Sequence, residues 1–318
     1  MSLLLYKKIT SQYFATRTVV IGPKWVNQAQ FAGIFSAIQE GFYKENGLSV
    51  SVKEFDFETS YLDDLLSGKT DFTIMSVEEF LTYVDQGKNI TAVAAIYQVS
   101  PYALVSLKES GIKDPSDFVG KKLGIKGGKL EEELVYRLLM NSFGLKIEDS
   151  EIIKVGFENS ELEDLKTNKI DVVDLYRTDQ LYYFEKDNID YEIIYPDRYG
   201  INIYNDLIVT RNDIVQEDPE LIKSFMSATI KGWEFAINNK SKAVEDTLKY
   251  VTSDIYKDPD YQLYILEKSI PLIKPDSNSK IGSMSYDGWD VIYNTMLKNN
   301  IIFNDIDISK VFTTRYLE

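Results

Sequence analysis

The stretch that decides the fold class is residues 17–52, RTVVIGPKWVNQAQFAGIFSAIQEGFYKENGLSVSV. Residues 17–21 are rich in β-branched apolar side chains and end at Gly22-Pro23, which predicts a buried strand and its stop. Residues 27–45 carry apolar side chains at helical spacing, and Gly47 closes the predicted helix. Residues 48–52 alternate apolar and polar, which predicts a second strand. This order favours two parallel strands joined by a crossover helix.

The alternation continues through the first hundred residues. Patterns predict a helix that begins at Ser60, a strand at 72–75, a helix at 77–85 and a strand at 90–96. The order βαβαβαβ is typical of a parallel sheet with helices on its faces. Such a sheet binds ligands beyond the carboxyl ends of its strands. We therefore expect the loops at 24–30, 55–60 and 76–79 to contribute to a binding site.

A second α/β unit begins near Tyr102, and the chain becomes mostly helical after residue 210. Asp218-Pro219 is a strong helix start, with a predicted helix to about residue 238, and another helix is predicted at 286–297. Because the sequence has no repeat and no long linker, we expect the C-terminal helices to pack back on the first unit. The chain would then cross between lobes near residues 97–102 and 204–207, and we expect a hinge there.

These patterns predict an α/β protein of two lobes, each a mostly parallel sheet flanked by helices, with a ligand cleft between them. The predicted lobe one is discontinuous, residues 17–98 plus 206–318, and lobe two is residues 99–205. Residues 1–16 are interpreted as an N-terminal extension that starts with a cloning remnant ahead of a trimmed natural sequence. On that interpretation an export signal or anchor has been removed, so the start of the chain leaves the compartment open.

Composition excludes several function classes. The 318 residues include 35 Lys and Arg against 50 Asp and Glu, so the net charge of −15 disfavours nucleic acid and anionic lipid as partners. Cys and His are absent, which excludes disulfides, thiolate nucleophiles and imidazole catalysis. We expect no metal, no cofactor and no catalytic residue. No apolar run approaches the ~18 residues of a membrane span.

The segment Gly124-Ile125-Lys126-Gly127-Gly128-Lys129 looks at first like a phosphate-binding loop. It lacks both the earlier Gly and the Ser or Thr after Lys129 that such a loop requires. Two glycines between a strand and a helix can still let a ligand approach backbone N–H groups at the helix N-terminus. A plain tight turn explains them equally well, so Gly128 is a candidate binding residue only. The acidic run after it, residues 131–133, is interpreted as complementing the helix dipole.

Aromatic side chains in predicted loops at strand ends are a second group of candidates. A ring there offers a stacking face, and Tyr and Trp add a polar group. For Trp25 a packing role is as well supported as a binding role. Trp233 and Trp289 fall within helical stripes and are predicted to be core residues. The loop candidates are Trp25, Tyr97, Tyr176, Tyr199 and Tyr204.

The chain also resembles a known family in a colinear set of short motifs. The resemblance is to type II periplasmic solute-binding proteins of the branch that contains thiamine-pyrimidine-precursor-binding proteins and thiamine-pyrimidine synthases. It spans roughly residues 17–297. The matching segments are KW at 24–25, QAQFAG at 28–33, EGFYKENGLSV at 40–50, LSGKTDF at 66–72, YQVSPY at 97–102, DFVGKKLG at 117–124, the Asp at 171, YGI at 199–201 with Tyr204, and ATIKGWEFA at 228–236.

The resemblance implies a type II periplasmic-binding-protein fold with a pocket between two closing lobes. It implies a pocket built from the first βα loop, the end of the third strand, the crossover and the second lobe. With the candidates above, the predicted ligand-binding set is Trp25, Gln28, Gln30, Ser76, Tyr97, Gln98, Gly128, Asp174, Tyr176, Gln180, Tyr199 and Tyr204.

Two departures from the family pattern bear on function. The family often carries Glu where this chain has Gln180, with Asp179 beside it, and a Glu would suit an aminopyrimidine by accepting from its N–H groups. The synthase branch uses an active-site His and Cys residues, and this chain has neither, so the resemblance implies no synthase activity. Lys24, Lys126 and Arg177 are candidates to make the cleft less acidic than the whole chain.

Three functions follow as hypotheses. The first is an extracytoplasmic, periplasmic or membrane-anchored monomer that binds a small heteroaromatic ligand, a thiamine pyrimidine precursor or similar, and delivers it to the membrane permease of an ABC importer. The second is the sensory ectodomain of a membrane-bound kinase or cyclase, with the signalling domains fused to it. The third, an enzyme that works with carboxylates alone, would need a carboxyl pair of raised pKa in the cleft.

Overall fold

The computed structural model describes residues 16–126, 130–156 and 160–317. Within those residues the chain forms ten strands and twelve α-helices, and none of these helices is long and apolar enough to cross a bilayer. The strands are β1 (Arg17–Gly22), β2 (Leu48–Val52), β3 (Phe72–Met75), β4 (Ile90–Tyr97), β5 (Tyr102–Leu107), β6 (Lys122–Lys126), β7 (Glu151–Val155), β8 (Val172–Tyr176), β9 (Tyr191–Ile194) and β10 (Asn205–Arg211). The helices are α1 (Ala32–Gln39), α2 (Phe42–Glu45), α3 (Tyr61–Leu66), α4 (Val77–Asp85), α5 (Leu130–Ser142), α6 (Glu161–Lys166), α7 (Leu181–Lys186), α8 (Asn212–Glu217), α9 (Pro219–Asn238), α10 (Lys240–Leu248), α11 (Pro259–Ile273) and α12 (Tyr286–Lys298).

The strands form two five-stranded sheets of matching design. The first has the order β2-β1-β3-β10-β4 and the second the order β7-β6-β8-β5-β9. In each sheet one strand, β10 or β5, runs antiparallel to both of its neighbours, and the other strands share one direction. The predicted class, two mostly parallel sheets flanked by helices, is confirmed. The one feature of the first sheet that the βαβαβαβ order does not predict is the antiparallel β10, which arrives from far along the chain and separates β3 from β4.

The predicted helix at residues 27–45 is wrong in detail. Gln28 is extended, a 3-10 turn covers Ala29–Phe31, and α1 ends before Gly41. Gly41 has a φ of +79°, a left-handed conformation that breaks the helix and restarts it as α2. The extended conformation of Gln28 matters for the site. It positions the Gln28 side chain for its hydrogen bonds to Gln30 and Asp179, which are described below.

The C-terminal helices return to the first sheet, as the pattern predicts. One core lies between this sheet and α1, α9 and α11, and includes Trp233; the second lies on the opposite face with α4 and α12, and includes Trp289. Both Trp side chains are buried, which confirms their predicted core role. Asp218 caps α9 through the backbone N–H of Leu221, with Pro219 in the first turn, again as predicted.

Helices α1 and α9 pack unusually closely. A Cβ atom added at Gly33 would lie 2.2 Å from the Trp233 ring, and one added at Gly232 would lie 2.1 Å from the Gly33 carbonyl oxygen. Only glycine fits at either position. These contacts join the N-terminal and C-terminal parts of lobe one, and they give a packing reason for the QFAG and GW motifs of the sequence.

Candidate functional site

The carboxyl edges of the two sheets face each other, and the region between them, where Lys24 meets Tyr176, is here called the crevice. In the first sheet β10 is antiparallel, so its first residue, Asn205, pairs with the last residue of β4, Tyr97. In the second sheet β5 is antiparallel, so Tyr102 pairs with the last residue of β8, Tyr176. The crossings at 98–101 and 195–204 therefore join these two edges directly. Because β10 and β5 run opposite to their neighbours, the first residues of these two strands lie at the same edge as the last residues of the other strands.

A buried Lys24 connects the two edges. It follows β1, and its Nζ lies 2.9 Å from the Tyr176 hydroxyl of the second sheet and 2.9 Å from Asp206 Oδ1. It also donates to Asn205 Oδ1. Burial acts to lower the pKa of this ammonium, but the Asp206 carboxylate and the Tyr176 hydroxyl outweigh burial and raise the pKa of Lys24. Lys24 is therefore a fixed cation.

Two glutamines extend the network from Asp206 into the second lobe. Gln30 Nε2 donates to both Asp206 oxygens, at 3.0 and 2.9 Å. Gln28 Nε2 donates to Gln30 Oε1 at 3.0 Å and to Asp179 Oδ2 at 3.3 Å. Asp206 has a φ of +49°, a left-handed conformation that is uncommon outside glycine and that marks functional positions more often than others. The network thus crosses the crevice a second time.

Asp179 is the buried carboxylate on the second-lobe side. Its Oδ1 accepts from the Tyr261 hydroxyl, and its Oδ2 accepts from Gln28 and from Gln180 Nε2, the latter at 3.3 Å. Burial raises the pKa of Asp179, and the hydrogen bond from Tyr261 opposes that shift. The carboxylate is held by neutral donors from both lobes. The nearby Lys126 adds a favourable charge and is itself paired with Glu161.

Two buried polar atoms of this network have no hydrogen-bond partner among the described residues, Gln28 Oε1 and Asn205 Nδ2. Their orientations are fixed by the opposite ends of the same amides. Asn205 Oδ1 accepts from Lys24 and from the Asp206 backbone N–H at 2.8 Å, so Nδ2 is a free donor. Gln28 Nε2 has two acceptors, so Oε1 is a free acceptor. Because an unsatisfied buried polar atom costs about 1–3 kcal/mol, this pair points to a ligand.

Several sequence candidates lie in this network. Gln28, Gln30, Tyr176 and Gln180 are members, and Gln180 Oε1 also accepts from the Tyr176 backbone N–H at 3.1 Å. Asp174 is fully buried on β8, two residues before Tyr176. Gln28 and Gln30 come from the loop after β1, and Tyr176 and Gln180 come from the end of β8 and the loop after it. The structure brings these four residues together.

Trp25 lies at the rim of the crevice and is half-buried. Its ring contacts Phe55 and Phe57, with centroid distances of 5.7 and 5.5 Å, and its Nε1 donates to the Tyr256 hydroxyl at 3.5 Å. Phe57 is 60% exposed. The ring is therefore part of a small aromatic cluster next to the network, which leaves its binding role a prediction.

Two other candidates, Ser76 and Gln98, are occupied by contacts within lobe one. Ser76 caps α4 in a reciprocal capping box with Glu79. Gln98 donates to two backbone carbonyls of residues 273 and 280 and accepts from Ser283, so it braces the C-terminal segment.

Tyr97 lies between the fold and the network. Its hydroxyl is 2.7 Å from Ser269 Oγ. It also bonds the Thr178 side chain of the second lobe, and burial, followed by the charge of Asp206, raises the pKa of this phenol. Tyr97 therefore reaches both lobes at the predicted edge.

Two of the remaining candidates, Tyr199 and Tyr204, make their contacts away from the network. Tyr199 packs on Phe143 of the second lobe at 5.7 Å. The Tyr204 hydroxyl lies 3.2 Å from Ser285 Oγ at the start of α12. Gly128 is outside the described residues. For these positions a role in binding remains a prediction.

Sequence signals for the other members of the network are weaker. Lys24 falls in the first strand-end loop and in the KW segment but is a candidate there only for its charge, and Asp179 is noted only as the neighbour of Gln180. Asn205 and Asp206 are the first two residues of β10, and no local pattern indicates that this strand is inverted. Tyr261 lies inside the amphipathic α11, where a core residue would look the same.

Contacts between α7 of the second sheet and α11 of the first flank the network. The rings of Tyr182 and Tyr261 stack at 4.7 Å, and the Tyr182 hydroxyl donates to Asp258 at 3.2 Å. Tyr264 and Lys268 both donate to Glu185 at 3.1 Å. The lobes are therefore in direct contact beside the crevice, which is a closed arrangement.

The polar groups of this network can make hydrogen bonds to an organic molecule. Across the described ranges, no cluster of three or more acidic side chains is arranged to hold a metal ion. The arrangement offers fixed charges, one free amide donor, one free amide acceptor and aromatic rings at its rim. These features suit a flat polar molecule that both donates and accepts hydrogen bonds.

The chain is similar to several named proteins and to solved structures. A formylaminopyrimidine-binding protein from Halalkalibacterium halodurans is 23% identical over 232 residues, 72% of this chain and 69% of that protein. A 4-amino-5-hydroxymethyl-2-methylpyrimidine phosphate synthase from Legionella pneumophila is 22% identical over 306 residues, 92% of this chain and 90% of that protein. The crystal structure of the periplasmic aliphatic sulphonate binding protein SsuA from Escherichia coli superimposes with a TM-score of 0.72 at 12% identity, over 93% of this chain and 97% of that one.

The solved structure shows that the fold is that of the periplasmic binding proteins, as the sequence resemblance implied. A family model described as NMT1/THI5 like matches residues 28–243, which is more than half of the chain. That range includes the QAQFAG motif, both inverted strands and the GW motif on α9. The chain therefore belongs to the NMT1/THI5-like family.

Proposed function

We propose that this protein is a solute-binding protein that holds a small heteroaromatic molecule between its two lobes and delivers it to an ABC importer. The observation that carries the proposal is the pair of unpartnered buried atoms, Gln28 Oε1 and Asn205 Nδ2, in a network that joins both sheets. A ligand that accepts from Asn205 and donates to Gln28 would satisfy both. The division into lobe one (17–98 with 206–318) and lobe two (99–205) is part of the same proposal.

An aminopyrimidine edge carries the two kinds of group that these atoms require. Its ring nitrogen accepts a hydrogen bond, and its exocyclic amino group donates one. Asp179 and Asp206 surround the site with carboxylates, which favours a neutral or donor-rich ligand over a sulfonate or nitrate. The name of the formylaminopyrimidine-binding relative supports the same chemical class.

The binding role is favoured over the synthase role of the Legionella relative. The absence of His and Cys removes the side chains that, by family resemblance, the synthase chemistry uses. The carboxylates of the crevice are held by Lys24, Gln28, Gln30 and Gln180, which is an arrangement for recognition. We accordingly propose an extracytoplasmic monomer whose partners are the solute and a membrane permease.

A sensory ectodomain would use the same site. The two roles differ in what is attached to the chain, so the full-length gene distinguishes them. A signal or lipid-attachment sequence without further C-terminal domains supports import. A membrane span followed by a kinase or cyclase domain supports sensing.

Titration calorimetry tests the ligand class. We expect 4-amino-5-hydroxymethyl-2-methylpyrimidine or its formylamino analogue to bind with a Kd in the micromolar range or tighter, and methanesulfonate to show no heat. Gln28→Met removes the free acceptor and should weaken binding by at least about tenfold, since a buried hydrogen bond that is left unmade costs about 1–3 kcal/mol.

Gln39→Met, an exposed glutamine on α1, is the matched control and should leave binding unchanged. Native mass spectrometry of freshly purified protein identifies any ligand carried through purification. Tight binding of the sulfonate, or equal affinity in the two glutamine variants, would contradict the proposed site.

A further inference from the structure

Tyr261 connects the lobes at the centre of the network. It lies on α11, a helix of the first lobe, and its hydroxyl donates to Oδ1 of Asp179, which follows β8 of the second sheet. Tyr261 is fully buried, and Asp179 is 3% exposed. The hydrogen bond exists only when the two lobes are in contact.

The ring of Tyr261 is fixed by its neighbours. It stacks on Tyr256 at 5.6 Å with an interplanar angle of 15°, and on Tyr182 of the second lobe at 4.7 Å with an angle of 25°. Tyr183 packs edge-on at 5.2 Å. A buried ring with three aromatic neighbours has little freedom to move, so the Asp179 carboxylate is oriented by a rigid donor.

Asp179 helps to set the orientation of Gln28. Asp179 Oδ2, the oxygen that Tyr261 does not contact, accepts from Gln28 Nε2 at 3.3 Å. That bond and the bond of the same Nε2 to Gln30 Oε1 at 3.0 Å direct the Gln28 amide so that its Oε1 is the free acceptor. The series of contacts therefore runs from Tyr261 of lobe one to Asp179 of lobe two and back to Gln28 Oε1 of lobe one.

We propose that Tyr261 is a positioning residue, which fixes Asp179 and through it the Gln28 acceptor, so that the donor edge of the ligand is recognised only after the lobes close. This inference rests on the proposed function, because it assigns how that site reads its ligand. Tyr261 need not touch the ligand. It makes recognition depend on closure.

The pH dependence of binding distinguishes this role from a packing role. Groups that face Asp179 are Tyr261 from α11, Lys126 from β6 and Glu161 from α6. Burial raises the pKa of Asp179 and the Tyr261 hydrogen bond lowers it. If the ionised carboxylate is needed to hold Gln28, affinity falls as the pH falls through that pKa. Removing the Tyr261 hydroxyl should raise the pKa of Asp179 and should therefore move the fall in affinity to a higher pH.

The experiment measures ligand affinity from pH 4 to pH 8 by titration calorimetry for wild type and for Tyr261→Phe, with 4-amino-5-hydroxymethyl-2-methylpyrimidine as the probe. We expect Tyr261→Phe to weaken binding about ten- to hundredfold at neutral pH, the usual effect of losing a hydrogen bond to a charged group. We also expect its acidic limb to begin at a higher pH.

Tyr264→Phe is the matched control. It removes the same hydroxyl from the same helix, also one that donates to a second-lobe carboxylate, Glu185, but at the half-exposed edge of the contact. It should change affinity by no more than about threefold, because exposed hydrogen bonds contribute little, and should leave the pH profile in place. Thermal melts show whether either variant is unfolded.

A double-variant cycle keeps the test valid if Tyr261→Phe is less stable. In the Asp179→Asn background the titrating group that Tyr261 contacts is gone, so the part of the acidic limb that belongs to Asp179 should vanish and Tyr261→Phe should add little further loss. Equal effects of Tyr261→Phe in both backgrounds, or an unshifted acidic limb, would overturn the positioning role while leaving the ligand class intact. Failure of wild type to bind the pyrimidine at any pH would instead contradict the proposed function.

Discussion

Replacing Lys24 should expose how much the fold depends on one buried cation. Lys24→Met keeps the length of the side chain and removes the charge, which leaves the Asp206 carboxylate, 1% exposed, with only the neutral donor Gln30. Removing one partner of a buried ion pair typically costs 3–5 kcal/mol. We therefore expect the free energy of unfolding to fall by about 3 kcal/mol.

Lys53→Met is the control for this measurement. Lys53 pairs with another buried carboxylate, Asp64, but it is 32% exposed and Asp64 keeps a second partner in Lys69 at 3.1 Å. The loss should be about 1 kcal/mol or less. Urea unfolding followed by circular dichroism compares the two variants directly.

A rescue separates the charge from the packing. In Lys24→Met, the further change Asp206→Asn removes the uncompensated charge and should restore part of the lost stability. The raised pKa of Lys24 means that its contribution is fully present below the ordinary lysine pKa of roughly 10.4 and is lost only above it. The loss in Lys24→Met should therefore be constant between pH 6 and pH 9. Equal losses for Lys24→Met and Lys53→Met, or no rescue, would refute the reasoning.

Three further predictions concern the rim, the helix contact and closure. Trp25→Ala should lower ligand affinity at least about tenfold, roughly 1.4 kcal/mol, and leave the melting temperature near that of wild type. The control Trp289→Ala should cost about 3–5 kcal/mol of stability. A large fall in the melting temperature of Trp25→Ala with unchanged affinity would place Trp25 in the core. Gly33→Ala should destabilise the protein by more than the ~1–3 kcal/mol usual for overpacking, because its Cβ would lie 2.2 Å from the Trp233 ring. In the control Gly156→Ala the added Cβ meets nothing within 4 Å, so stability should be unchanged. Equal melting temperatures of the two variants would contradict the close packing of α1 and α9. Small-angle scattering should show a smaller radius of gyration with saturating ligand, and an unchanged profile would count against a hinge at the two crossings.

Much of the fold could be predicted because local patterns report it. Periodicity and punctuating glycines located β1 to β4, and the Asp218-Pro219 pair located the start of α9 to the residue. Pairing between strands is not a local property. The insertion of β10 between β3 and β4 depends on contacts between residues more than a hundred positions apart, and no local pattern encodes it.

The site was predictable to the same extent. Gln28 and Gln30 belong to the first βα loop, where strand-end reasoning looks, and the resemblance carried Gln180. Asn205 and Asp206 were missed because their role follows from the inversion of β10. Tyr261 was missed because its partner, Asp179, is supplied by the other lobe, so only the three-dimensional arrangement reveals it.

The central position of β10 has a consequence for the order in which the protein can fold. The first sheet cannot join β3 to β4 until residues 205–211 have been synthesised, whereas β5 to β9 are contiguous and complete by residue 194. The second lobe should therefore acquire structure first, while β3 and β4 still present open strand edges that invite aggregation. Pulse-labelled hydrogen exchange during refolding should protect β5, β6 and β8 before β3 and β4. A chain truncated before β10 should yield a folded second lobe on an unassembled first one.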